Sequence, residues 1–223
     1  MIILQGKTHR LGGVLSAMLG YTFMEANNML LPDVNPILQL AVIYPFAMYG
    51  SVVSDLDHNW NSSPSKDPVS KGINSILHLS SNVSKVSGKK FSLLNIFDAK
   101  HRSWQTHSDV FLLFFIGVVI FLWGDASGSD ANSVILKLIM LGLSLGVASH
   151  LLLDSLTPEG IWFLIPSIIK KEKVTFRLVP KGEFFITGGP WERLVRVIMW
   201  IAISILAIYI LYRVSPYRIS FNY

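Results

Sequence analysis

The side chains best suited to chemistry in this chain are histidines and aspartates, and most of them stand beside apolar runs. In ASHLLLDSLTPEG, residues 148–160, His150 and Asp154 are four apart, so on a helix both leave the same face. A second block, DLDH, holds Asp55, Asp57 and His58; a third, HRSWQTHS, holds His101 and His107; His9 stands near the start. Imidazole with carboxylate is a donor set for Zn²⁺ and also suits Mn²⁺ or Fe²⁺. Cysteine is absent, so thiolate takes no part. Five imidazoles and three carboxylates exceed what one ion needs, and one to three ions fit them.

Local geometry sets conditions on the elements that must carry these groups. Asp55 and Asp57 are two apart, nearly opposite on a helix, so the helix should end there and a turn bring them together. His101 and His107, six apart, do not share one straight helix face either. Asp154 closes an apolar run long enough to cross a bilayer, and ionisable groups in such places are costly and point to function.

The whole chain reads as an integral membrane protein. Its 223 residues are 51% hydrophobic and 15% charged, with a mean hydropathy of +0.48, whereas a soluble domain carries about 25% charge. Apolar runs at 11–31, 37–54, 109–124, 133–153 and 194–212 predict an all-α bundle of about five transmembrane helices. The polar segments 55–107 and 155–193 separate them, and with no internal repeat the chain reads as one membrane domain. A charged lead-in before an apolar run resembles a signal peptide, but no convincing small-residue cleavage site follows it.

Charge gives the orientation. Residues 1–10, 55–108 and 154–196 hold 16 of the 19 Lys and Arg, whereas the turn at 32–36 and the loop at 124–132 hold only Asp33, Asp125 and Asp130. The positive-inside rule then puts the N-terminus and both long polar segments in the cytoplasm. His9, the DLDH block, His101, His107 and the His150–Asp154 pair all fall at that face, and only His78 lies apart. Lys85, Lys89 and Lys90 read as partners of anionic headgroups, with no obligate nucleic acid, because aromatic interleaving is sparse. Thr106 and Ser108 read as helix caps rather than nucleophiles.

These same residues resemble the YdjM-type family of membrane-bound, metal-dependent hydrolases. That pattern has an early histidine, a D-[IL]-D-H block, HR and THS, SH-x(3)-D-x-LTP-x-G, and a basic segment ending in E-R. Here they are His9, SDLDH at 54–58, HRSWQTHS at 101–108, SHLLLDSLTPEG at 149–160 and FRLVPKGEFFITGGPWER at 176–193. Ser54 stands where the family usually has proline, and one extra residue separates Arg102 from Thr106. The resemblance implies a hydrolase in a bacterial or phage-encoded cytoplasmic membrane. The order of ligands is also similar to that of the zinc phospholipase C and P1 nuclease group.

Together these observations predict a phosphoesterase acting on lipid or headgroup phosphate at the inner leaflet. His9, Asp55, Asp57, His58, His101, His107, His150 and Asp154 are its expected metal ligands, with Asp55 or Asp57 bridging or acting as general base. Arg102 offers a planar fork for phosphate, Arg177, Lys181 and Arg193 are further candidates, and Glu192 is a further ligand or base. GIWFLIPSII would border a path for acyl chains. Competing readings are a membrane metalloprotease, for which no HExxH is present, a non-enzymatic metal-binding regulator or scaffold, and a membrane nucleic-acid phosphodiesterase, which would bind DNA with steep salt dependence.

Overall fold

A computed structural model describes residues 6–32, 34–57, 106–124, 130–157, 159–163, 167, 169–170, 174–179 and 189–214. Its described residues are helical apart from one two-stranded hairpin. The helices are α1 (Gly6–Ala26), α2 (Pro36–Val53), α3 (Asp109–Gly124), α4 (Ala131–Ser155) and α5 (Pro190–Val214), and a 3-10 turn, Ser54–Asp57, extends α2. By length and composition α2, α4 and α5 can each cross a membrane; α3 is apolar but only 16 residues long.

Short-range chemistry sets the boundaries. α1 stops at Asn28, whose φ of 54° is left-handed; Met29 N then bonds Met24 O and Asn28 N bonds Glu25 O, closing the last turn as a Schellman cap does. Asn35 caps α2 by accepting from Ile37 N at 2.8 Å, with Pro36 in the first turn, where its missing N–H costs nothing. Ser108 Oγ accepts from Phe111 N at 3.3 Å and starts α3. Asp130, read from sequence as a plain loop charge, caps α4 by accepting from Ser133 N.

The predicted apolar runs and the helices agree closely except at α1. That helix begins five residues before the expected 11–31 run and takes in His9. Thr8 and His9 are fully buried against neighbouring helix ends, so the helix continues across residues that hydropathy alone assigns to a loop.

The bundle is built on α2 against α4, with α1 packed on both, α5 on α1 and α3 on α4. The α2–α4 contact is close because α4 presents Gly142 and Gly146 to it. A Cβ on Gly142 would come within 2.6 Å of Ile43 O, and one on Gly146 within 2.6 Å of Ser51 N. Small residues four apart let two helix backbones approach like this in membranes, where burial from water drives little association.

The hairpin pairs Ile161–Trp162 (β1) antiparallel with Thr175–Phe176 (β2), Ile161 opposite Phe176. It falls where the sequence suggested an interfacial GIWFLIPSII segment. Trp162 N donates to His107 O at 2.9 Å and Leu178 N to Ser155 O at 2.8 Å. The hairpin thereby ties the start of α3 to the end of α4.

Candidate metal centre

The close α2–α4 contact positions the first ligand. One turn beyond Gly146, His150 Nδ1 lies 2.7 Å from Ser51 O. A carbonyl can only accept, so Nδ1 carries the proton and Nε2 presents its lone pair. A ligating histidine is commonly oriented in this way by its second nitrogen. One further turn along, Asp154 Oδ2 lies 3.4 Å from that Nε2.

Three other elements bring donors to the same point. His107, just before α3, places Nε2 at 3.3 Å from His150 Nε2 and 3.5 Å from Asp154 Oδ2. Asp55, in the turn after α2, puts Oδ1 at 3.7 Å from His107 Nε2 and 3.8 Å from His150 Nε2. His9 of α1 stacks on His150 with ring centroids 4.0 Å apart, its Nε2 3.7 Å from Asp154 Oδ1. Two sets of three donors result, His9–His150–Asp154 and Asp55–His107–His150, each with its ligand atoms within 4.8 Å of one another. His150 belongs to both.

Most of these separations are too long for good hydrogen bonds. Among the described residues neither ring nitrogen of His9 has a hydrogen-bond partner, although the residue is fully buried. Leaving buried polar atoms unpaired is costly, and a cation at the lone-pair nitrogen would meet the demand of that one. The donors thus fit a divalent ion by type, spacing and unmet demand. Burial pushes the Asp55 carboxyl up, but the imidazoles of His150, His107 and His9 outweigh it and hold the group below the usual carboxylate range, ionised as a ligand must be.

The surrounding residues orient the ligands. Thr106 Oγ1 lies 3.0 Å from His107 Nδ1; of the two expected caps, Ser108 takes that role and Thr106 attends the histidine instead. Thr157 Oγ1 donates to Asp154 O at 2.7 Å, closing α4 at the ligand itself. In the sequence Thr106 reads as a cap, and nothing there points to Ser51 at all. The row Gly142, Gly146, His150, Asp154, each four from the next, is the signal that would have pointed to α2 as the partner.

The other expected site residues divide into two groups. Glu192 is fully buried at the start of α5 and accepts from Thr8 Oγ1, so it reaches the residue beside His9 but belongs to neither donor set. Arg177 follows β2 and its Nε is buried without a hydrogen-bond partner among the described residues, a donor suited to an anion. Asp57 lies in the 3-10 turn, and its side chain is outside the described residues, as are His58, His101, Arg102 and Lys181.

Residues 4–218 match the family described as YdjM inner membrane protein. The uncharacterized protein YvsG of Bacillus subtilis (strain 168) is 29% identical over 165 residues, 74% of this chain and 75% of that one. No solved structure matches.

Proposed function

The chain belongs to the YdjM inner membrane protein family, and from that premise we propose that it is a membrane-bound, metal-dependent phosphoesterase acting on lipid or headgroup phosphate at the cytoplasmic leaflet. One observation carries this reading. Three imidazoles and two carboxylates from four separate helix ends are gathered, buried, around a common point, and neither ring nitrogen of His9 finds a hydrogen-bond partner among the described residues.

In this reading all five helices cross the membrane as a single domain. The site gathers the N-terminal ends of α1, α3 and α5 and the C-terminal ends of α2 and α4, which is the alternation five antiparallel spans produce. The basic segments of the sequence put that end in the cytoplasm.

His9, His150 and Asp154 would hold one ion, and Asp55 and His107, sharing His150, a second; Zn²⁺ suits them best, with Mn²⁺ or Fe²⁺ compatible. When bound, such ions lower the pKa of water and neutralise charge on phosphoryl oxygens. The protein's own groups do the rest. Ser51 and Thr106 fix the two imidazoles that face each other, so ligand orientation is set before substrate arrives. Asp55, whose side chain is 13% exposed while those of His9, His107, His150 and Asp154 are at most 1%, is the most accessible of the five and marks the side from which substrate would reach the ions. Arg177 precedes Leu178, whose N–H donates to Ser155 O, and its Nε, without a partner among the described residues, would offer a planar donor to phosphate.

The same burial favours a second reading, a metal-binding regulator or scaffold, because structural metal sites are closed whereas catalytic ones keep a position open. Elemental analysis of the purified protein, with a lipid-phosphate release screen on native and chelated samples, separates the two. The phosphoesterase reading expects a stoichiometric divalent metal and phosphate release that chelation abolishes and metal restores. Metal without release on any lipid supports the scaffold, and well-folded protein that binds no divalent ion overturns both.

A further inference from the structure

An apolar groove of about 580 Å³ runs between α1, α4 and α5. It follows α1 from Gly12 to Phe23, with Leu145 and Leu152 of α4 and Val195 of α5 as its other walls. Its upper end abuts the donor cluster. Gly12 lies one turn beyond His9, and the lining residues Ser149 and Leu153 directly precede His150 and Asp154.

We infer that this groove holds one acyl chain of a membrane lipid whose phosphate is presented to the donor cluster, an inference that rests on the phosphoesterase reading. Three observations select that occupant. First, the walls offer nothing polar: the hydroxyls of Ser16 and Ser149 are turned back to the Gly13 and Gly146 carbonyls of their own helices, at 2.9 and 2.8 Å. A ligand that needs hydrogen bonds gains none here, whereas a hydrocarbon loses none.

Second, the length fits. Gly12 to Phe23 spans eleven helical steps, about 16 Å at the standard rise, and half of a bilayer's hydrocarbon core is about 15 Å. The groove is therefore long enough for a chain drawn from one leaflet, and it runs from beside the cluster toward the Glu25–Arg213 end of the bundle. Third, the groove opens sideways between helices, and Leu19, Phe23 and Leu152 along it are largely exposed. A chain can enter from the bilayer without leaving it. This subsite lies against α1 and α5, whereas Ile161 of the GIWFLIPSII segment that the sequence suggested for the same purpose packs with Val147 and Leu151 of α4.

The full-length protein in nanodiscs of phosphatidylglycerol carrying a diazirine at the end of one acyl chain tests the inference. After irradiation, adducts should concentrate on Leu19 and Phe23, well above those on Phe114 and Phe121 of α3, which are as exposed. Ser16→Phe, which fills the groove away from the ligands, should lower those adducts about tenfold, the loss of roughly two buried methylenes. It should slow release from long-chain lipid to a similar extent and leave a soluble short-chain phosphoester unaffected, while Phe121→Leu changes neither. Adducts spread evenly over all exposed apolar faces, or groove residues joined instead to a second copy of the chain, overturn the inference. Groove adducts in a protein that releases no phosphate leave the subsite standing and sink the phosphoesterase reading. Phosphate release with even labelling does the reverse.

Discussion

The two ends of this helical bundle treat their polar residues in opposite ways. At the end away from the donor cluster, Gln39 is fully buried, yet its amide receives Leu31 N and donates to Leu31 O and Val34 O at 2.9–3.1 Å. Arg213 of α5 meets Glu25 of α1 at 2.6 Å, although the second Glu25 oxygen takes no bond among the described residues. Asn35 and Asp130 cap their helices there. These residues serve the fold, and the fold supplies their partners. At the opposite end the imidazoles and carboxylates stand 3.3–3.8 Å apart, and both nitrogens of His9 are left open. Gln39 and His9 are equally buried, yet the fold supplies partners to the first and, among the described residues, none to the second.

Substitutions at the two ends should therefore have separable effects. His150→Ala removes the residue common to both donor sets, and zinc affinity measured by calorimetry should fall by more than the roughly 10–100-fold typical of losing an orienting neighbour, with lipid hydrolysis at background and helical content unchanged. Thr106→Val keeps the shape of the side chain but deletes the hydroxyl beside His107 Nδ1; affinity should fall about tenfold. Gln39→Leu strands three backbone groups at the far end and should destabilise the bundle by about 1–3 kcal/mol in thermal or denaturant unfolding, with no change in zinc affinity. Should Gln39→Leu weaken zinc binding as much as Thr106→Val, the two ends would not be independent and the contrast would fail.

The apolar runs and the ligand types were legible in the sequence, for different reasons. Long hydrocarbon stretches must become helices because no water is available to satisfy an open backbone, so α2, α3, α4 and α5 fall within a few residues of expectation. His150 and Asp154 declared themselves by spacing. What remained hidden depended on contacts between distant segments. Nothing local to His9 says that a helix runs through it, because its burial comes from α4 and its neighbour Thr8 is met by Glu192 of α5. The role of Ser51 is carried by its carbonyl, which every residue possesses. The hairpin was missed because each strand has only two residues, too short to show any alternation.

The row of positions on α4 makes that helix a ruler with both scales on one edge. Gly142 and Gly146 set how near α2 can come, and His150 and Asp154 deliver donors at the next two marks. A single residue inserted after Gly146 would turn everything beyond it by about 100°, swinging both donors off while the glycines stay seated. One removed between Gly142 and Gly146 would leave the donors seated and bring Leu141 to the place of Gly142, putting bulk where the backbones touch. Length changes in α4 between Gly142 and Asp154 are therefore ruled out in steps of one, whereas the chain ahead of Gly142 and past Thr157 is free of that constraint.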